Sequence, residues 1–235
     1  MKKRIWELDA LRGICILGMV LVHLVYDLTE LYALVDWEYT PIFLFIKNYG
    51  GILFVLISGI CVSFGGKHLF RGLTVLGCGL LCTLVTLAMA LPQPGGFGSV
   101  IWFGVLHCLG LCMLLWHPLK GFPAWALLLL GVPLAAAGHI LFPLTPVDDP
   151  WLIPFGIKPN WFVTPDYFPL LPYLGYFLLG AFLGKTLYKP RVSLMPNVPP
   201  LPPLRFFQWC GRHSLVIYLA HQPILMAVCT LLSLL

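Results

Sequence analysis

The sequence predicts an all-α fold, a polytopic transmembrane helix bundle of about seven spans with a cytoplasmic N-terminus. Of its 235 residues, 60% are hydrophobic and only 10% are charged, too few to cover a water-soluble domain. Long apolar runs follow one another, each near the roughly 20 residues that cross a bilayer core. Runs such as 72–90, "GLTVLGCGLLCTLVTLAMA", lack the alternation typical of barrel strands. We therefore interpret 1–235 as a single integral membrane domain.

The spans follow the chain in order, separated by polar, glycine or proline residues. The linker at 143–166 is rich in proline and tryptophan, which predicts an ordered lid or interfacial segment. The linker at 189–204 is proline-rich and predicts an extended spacer. The predicted spans are 10–28, 41–64, 69–91, 99–116, 123–142, 167–187 and 207–233.

The basic residues predict the orientation of the bundle. Cytoplasmic loops carry an excess of Lys and Arg, and seven spans with an inside N-terminus leave only Lys158 outside. This distribution predicts a multi-pass protein of the plasma or inner cell membrane, with lipid as a partner and no nucleic acid. The eleven residues on the cytoplasmic side are Lys2, Lys3, Arg4, Lys67, Arg71, Lys120, Lys185, Lys189, Arg191, Arg205 and Arg212.

The eight cysteines lie in apolar sequence, and no Cys-x-x-Cys motif occurs. Buried cysteine behaves as a small hydrophobe that suits close helix packing. We therefore predict no metal site. The cysteines are Cys15, Cys61, Cys78, Cys82, Cys108, Cys112, Cys210 and Cys229.

Three ionisable residues of the first span are candidates for function, because charge inside a membrane is costly. Helical geometry places Arg12, His23 and Asp27 on one face. The i, i+4 spacing of His23 and Asp27 lets a carboxylate hold one imidazole nitrogen while the other acts as a base. Arg12 lies roughly 16 Å closer to the cytoplasm, at about 1.5 Å per residue. That separation is comparable to an extended pantetheine arm.

A structural reading of the same residues is equally compatible with the spacing. Arg12 can extend to the interface and pair with Asp9, while His23 and Asp27 form a buried hydrogen bond. Two further histidines, His107 and His221, fall near the middle of their spans. Three histidines at overlapping depth favour a shared polar cavity.

The segment "ELDALRGICILGMVLVHLVYDL" resembles the first helix of the transmembrane acyltransferase superfamily, whose acyl-transfer site is marked by Arg and His separated by ten residues. "FVLISGI" at 54–60 resembles the second-helix signature of that superfamily. "DYFPLLPYLGYFLLGAFLG" and "GRHSLVIYLAHQP" are similar to late helices of small bacterial members related to the heparan-alpha-glucosaminide N-acetyltransferase catalytic domain. The resemblance covers most of the chain.

The resemblance implies an enzyme that moves an acetyl or other acyl group from cytoplasmic acyl-coenzyme A to a carbohydrate acceptor on the opposite side. His23 would be the general base, oriented by Asp27, and His107 or His221 would stabilise the oxyanion or position the acceptor. The chain is shorter than the usual ten- or eleven-helix members. It also lacks histidine at 29–40, the loop in which the lysosomal enzyme carries one.

The remaining predicted contacts lie at the two ends of the bundle. Arg and Lys are common phosphate partners, so Arg12, Lys67 and Arg71 would hold the nucleotide phosphates. Asp166 would face the acceptor with the 143–166 loop. Lys47 and Asn48 either line the substrate cavity or serve packing and interface contacts.

Two other functions fit the buried polar residues. A proton-coupled transporter or flippase would use His23, Asp27, His107 and His221 as a proton relay. A noncatalytic membrane scaffold would use them only to specify helix packing.

Overall fold

The computed structural model describes residues 4–92, 96–141, 149–189, 191–198 and 201–234. These residues are helical and form no strand, which confirms the all-α class; their one isolated bridge joins Phe103 and Tyr167. The α-helices are α1 (Trp6–Tyr26), α2 (Pro41–Val62), α3 (His68–Ala90), α4 (Val105–Leu119), α5 (Ala124–Leu141), α6 (Leu170–Thr186), α7 (Pro202–Arg212) and α8 (Ser214–Leu232).

Several of these helices have the length and composition of membrane spans. In the described residues four qualify: Trp6–Leu31, Pro41–Val62, His68–Ala90 and Ser214–Leu232. Val105–Leu119 and Ala124–Ile140 are apolar but shorter. The chain is therefore a membrane protein, whereas the seven spans and the cytoplasmic N-terminus stay predictions. Lys2 and Lys3, used for the orientation, lie outside the described residues.

The predicted span 207–233 differs from the structure, which divides it at His213 into α7 and α8. His213 has non-helical φ and ψ of −103° and 17°, and its Nδ1 donates to the Trp209 carbonyl at 2.9 Å. At about 1.5 Å per residue, α7 is roughly 16 Å long, too short to cross a bilayer core. The predicted span joins the two helices because Phe207, Trp209 and Cys210 are apolar and α8 continues with apolar residues after the break.

The described chain divides into two compact units, Met1–Ile57 with Pro190–Leu235, and Ser58–Lys189. In the first unit α7 packs along the first half of α1 at two glycines. A side chain at Gly13 would collide with the Phe207 carbonyl, and one at Gly211 with the Asp9 carbonyl. Two backbones can approach this closely only where no Cβ intervenes. The prediction of a single domain stays a prediction.

Residues 191–198, within the predicted spacer, are tied to the start of α1. The buried Glu7 carboxylate accepts hydrogen bonds from Ser193 Oγ at 2.8 Å and from the Leu194 amide at 2.7 Å. The Trp6 indole donates to the Met195 carbonyl at 3.2 Å. These contacts order the segment through side-chain hydrogen bonds that a reading of proline content alone does not anticipate.

In the second unit α3 pairs with α4, α5 pairs with α6, and α4 also contacts α6. Gly175 of α6 lies against the backbone of Ala135 in α5, an approach that leaves no room for a side chain at this position. The predicted order of the long linker is confirmed for residues 149–166. Asp149 caps the 3₁₀ helix Pro150–Phe155 by accepting from the Trp151 amide at 3.0 Å. Residues 143–148 lie outside the described residues.

Candidate active site

The carboxyl end of α1 opens into a π-helical turn at Asp27–Leu31, one turn after His23. The Tyr32 amide donates to the Asp27 carbonyl at 2.9 Å, and Thr29 Oγ1 donates to the Val25 carbonyl at 2.8 Å. Wide turns of this kind are rare in proteins overall, and those that occur often lie at functional sites. Apolar periodicity did not reveal it, because periodicity reports the α-helical repeat on either side.

His23 and His221 face each other between α1 and α8. Their ring centroids lie 4.9 Å apart with an interplanar angle of 60°. His221 is 9% exposed and His23 is half-buried. His23 forms no hydrogen bond to the described residues. The structure therefore brings together two of the three histidines predicted to share a cavity.

The His221 ring is held with one nitrogen unpaired. Its Nδ1 donates to the Tyr218 carbonyl one turn earlier. Because a carbonyl can only accept, this bond assigns the proton of the neutral ring to Nδ1 and leaves a lone pair on Nε2. Nε2 is buried and has no hydrogen-bond partner among the described residues. A fixed ring with a free basic nitrogen has the form of a general base.

Asp27 is fully buried, and its partner is an amide that sequence reasoning missed. Gln222 Nε2 donates to Asp27 Oδ1 at 3.1 Å and to Oδ2 at 3.0 Å. Asp27 therefore holds Gln222, whereas the predicted hydrogen bond between Asp27 and His23 does not form in the described structure. A search for costly intramembrane side chains that included neutral amides would have found Gln222, beside His221 in "LAHQP".

Arg12 lies on α1 three turns before His23 and is half-buried. Asp9, its predicted alternative partner, forms an ion pair with Arg4 at 3.7 Å. Arg12 forms no ion pair with the described residues. Its guanidinium is therefore not neutralised by the carboxylate one turn away, which is the condition for binding an anion.

His107 belongs to the second unit, where the fold uses both of its ring nitrogens. Nδ1 accepts from the Gly104 amide at 3.2 Å, so the proton lies on Nε2, which donates to Thr83 Oγ1 at 3.1 Å. Thr83 in turn donates to the Ile101 carbonyl at 2.6 Å. These contacts favour a structural role; the catalytic role predicted for His107 stays a prediction.

The other predicted site residues have varied surroundings. Asp166 Oδ2 accepts from the Val105 amide at 3.1 Å and so caps α4. Lys67 and Arg71 are exposed at the start of α3, and exposed Lys47 lies over the Tyr39 ring at 5.1 Å. Asn48 is exposed on α2. Their binding roles stay predictions.

The second unit also contains an aromatic pocket of about 340 Å³. Its wall includes the 3₁₀ helix Pro150–Phe155, where the Tyr167 hydroxyl donates to the Ile153 carbonyl at 2.7 Å. The Trp151 side chain is 83% exposed at the pocket. The other tryptophans of the pocket are Trp102 and Trp161.

Comparison with known proteins identifies the family. The family model described as "Heparan-alpha-glucosaminide N-acetyltransferase, catalytic" matches residues 4–223. The chain belongs to this family. The match confirms the resemblance and spans all the predicted site residues as well as Gln222. Searches of curated proteins and of solved structures gave no significant match.

Family membership makes the protein a membrane acyltransferase of the heparan-alpha-glucosaminide N-acetyltransferase type. The matched region includes α1 and ends at Pro223, so it contains the α1 and α8 residues that meet at the His23–His221 pair. The described contacts of that pair therefore lie within the catalytic region of the family.

Proposed function

We propose that the protein transfers an acetyl or other acyl group from cytoplasmic acyl-coenzyme A to a carbohydrate acceptor on the extracytoplasmic side of the cell membrane. The observation that carries this proposal is the unpaired, buried Nε2 of His221 beside His23. The family uses acetyl-coenzyme A as its donor, which supports the same choice here.

The reaction is a direct acyl transfer. The acceptor oxygen or nitrogen attacks the thioester carbonyl, the new C–O or C–N bond forms, and the C–S bond breaks with its electron pair on sulfur. The acceptor proton passes to an imidazole and then to the thiolate, releasing coenzyme A as the thiol. Base catalysis of this kind is worth about 10²–10⁴-fold in rate.

His221 is better held for proton transfer than His23, which the sequence favoured as the base. The Tyr218 carbonyl fixes the His221 ring and its tautomer, whereas no hydrogen bond fixes His23. We therefore assign proton abstraction to His221 Nε2 and stabilisation of the oxyanion to His23, retaining the His23 base as the alternative assignment. Asp27 anchors Gln222, the residue that follows His221 in α8.

The two unpaired hydrogen-bond acceptors of the site favour a substrate with an amine over one with only a hydroxyl group. His221 Nε2 and Gln222 Oε1 both lack a hydrogen-bond donor among the described residues. A hydroxyl has one hydrogen to donate, and a primary amine has at least two. An amino sugar therefore suits the pair better than a neutral sugar.

Coenzyme A binding is proposed from Arg12, Lys67 and Arg71, whose side chains can contact phosphate. Arg12 is the best supported, because its position on α1 is roughly 16 Å from His23 at about 1.5 Å per residue and Asp9 pairs elsewhere. The proposals for Lys67 and Arg71 rest on the prediction that both residues lie on the cytoplasmic side of the membrane. For acceptor contacts we retain Asp166, Lys47 and Asn48.

The test is reconstitution in vesicles with radiolabelled acetyl-coenzyme A outside and methyl α-glucosaminide inside. We expect label to appear in the sugar of vesicles whose N-terminus faces outward. Protease digestion of an N-terminal tag reports that orientation. Movement of sugar without consumption of acetyl-coenzyme A would instead identify a transporter, and neither event in folded protein would support a scaffold.

A further inference from the structure

Gln222 has one half of its amide anchored and the other half unpaired. Nε2 donates to both carboxylate oxygens of Asp27, at 3.1 and 3.0 Å. Oε1 is buried and has no hydrogen-bond partner among the described residues. The opposite orientation would place the amide oxygen against a carboxylate, so the bond to Asp27 fixes which atom stays free.

A buried acceptor without a donor costs free energy, and such atoms are few in native structures. Three buried side-chain atoms without a hydrogen-bond partner occur in the described residues: His68 Nδ1, His221 Nε2 and Gln222 Oε1. Two of the three belong to adjacent residues of α8. Their partners in α1, His23 and Asp27, lie one helical turn apart. The two unpaired atoms on α8 therefore belong to residues that contact α1 at the proposed proton-transfer site.

We infer that Gln222 is a specificity-determining residue, whose Oε1 accepts a hydrogen bond from the carbohydrate substrate while its Nε2 is anchored on Asp27. This inference rests on the proposed function and adds a residue to it. The ligand must present two hydrogens, one toward His221 Nε2 and one toward Gln222 Oε1. Asp27 sets the orientation of Gln222 and has no direct contact with the acceptor.

The decisive variants exchange or remove the acceptor atom at position 222. Gln222→Met keeps the length of the side chain and removes both polar ends. The double variant Asp27→Asn/Gln222→Glu reverses the pair: the asparagine amide donates to the glutamate, which keeps an oxygen facing the ligand. Rescue by the double variant would show that an oxygen at position 222, held by its partner in α1, restores what Gln222→Met removes.

A matched control removes another hydrogen bond between the same two segments. Thr230 of α8 contacts the Tyr32 hydroxyl at 2.8 Å, just after the π-turn, and neither of these side chains bonds to the Asp27 carboxylate. Thr230→Val should lower thermal stability by less than Gln222→Met, because the Tyr32 hydroxyl keeps the Met226 carbonyl as an acceptor. It should leave acceptor binding unchanged, because it does not touch the unpaired atoms.

The experiment measures KM for acetyl-coenzyme A and for methyl α-glucosaminide, and calorimetric binding of the sugar alone, with full-length protein. We expect Gln222→Met to raise the KM and Kd of the sugar about tenfold, the scale of one lost hydrogen bond to a polar ligand, with the KM of acetyl-coenzyme A within about twofold. The double variant should return both sugar constants to within about threefold of wild type.

Three results with the variants overturn the inference: sugar constants of Gln222→Met within twofold of wild type, a double variant as weak as Gln222→Met, or an equal loss of sugar binding in Thr230→Val. Wild-type turnover tests the proposed function separately. If wild-type protein binds the sugar but releases no coenzyme A, acyl transfer fails while the binding constants still decide the role of Gln222. If wild-type protein does not bind the sugar, the inference fails.

Discussion

His107 and His221 are both buried on helices within apolar sequence, yet their rings are used in opposite ways. His107 in the second unit accepts at Nδ1 and donates at Nε2, so the fold occupies both nitrogens. His221 in the first unit donates at Nδ1 to a backbone carbonyl and leaves Nε2 unpaired. Burial and residue type are the same in the two cases. What distinguishes a candidate base is the nitrogen that the fold leaves free.

The largest expected effect tests the free nitrogen directly. His221→Ala removes the proposed base, and we expect the rate of acyl transfer to fall about 10²–10⁴-fold, the usual contribution of base catalysis. The measurement is coenzyme A release by detergent-purified protein, normalised to the folded fraction from size-exclusion chromatography. A well-folded variant with at least one tenth of the wild-type rate would contradict the assignment.

The alanine substitution at His107, whose two ring nitrogens are both hydrogen-bonded, should lower the stability of the protein. His107→Ala leaves the Gly104 amide without its acceptor and removes the bond to Thr83, at a cost of about 1–2 kcal/mol. We expect a lower Tm in a thermal scan and a transfer rate per folded molecule within about threefold of wild type. If His107→Ala abolishes transfer without a change in Tm, the distinction between the two histidines is wrong.

A third test asks how far the first unit depends on close packing of α7 against α1. Gly211→Ala places a methyl group against the Asp9 carbonyl, and overpacking of this kind costs about 1–3 kcal/mol. We expect Gly211→Ala to lower the Tm in a thermal scan while the hydrogen bonds of His107 in the second unit stay as they are. Gly77→Ala is the matched control: a Cβ there meets nothing within 4 Å, so its Tm should be unchanged or higher.

The smallest expected effect concerns the aromatic pocket of the second unit. Trp151 is 83% exposed, so Trp151→Ala should not lower the Tm measurably. If residues 149–166 face the acceptor, loss of this ring should raise the KM of a glucosaminide about threefold, within the range of one aromatic contact. An unchanged KM would assign Trp151 to the membrane interface instead, where tryptophan is enriched.

Much of the fold could be predicted from the sequence. A segment in lipid must make its backbone hydrogen bonds internally, so a long apolar run predicts a helix. The start of α2 was predicted at residue 41, and that of α3 within one residue of His68. The break at His213 was missed, since a window average does not detect a single residue with non-helical backbone angles. The ordered contacts of residues 191–198 with Glu7 were missed for a related reason, because they join residues far apart in the chain.

The candidate site was predicted in part. Helical spacing placed His23 and Asp27 on one face, and both contact α8, as a shared face requires. The partner of Asp27 was not predictable from that spacing, because it lies 195 residues along the chain. Nor could spacing assign the tautomers of His107 and His221, which depend on which backbone groups lie beside each ring.

By itself, the sequence determined that this protein is a helical membrane protein with costly polar side chains on its first helix, because composition and local periodicity are properties of the chain alone. Its acyltransferase function came from the resemblance of its motifs to the family. Only the tertiary structure decided that Asp27 holds Gln222, that both ring nitrogens of His107 are hydrogen-bonded, and that His221 retains an unpaired nitrogen. Hydrogen bonds are short and directional, so their partners are fixed only when helices distant in sequence come into contact.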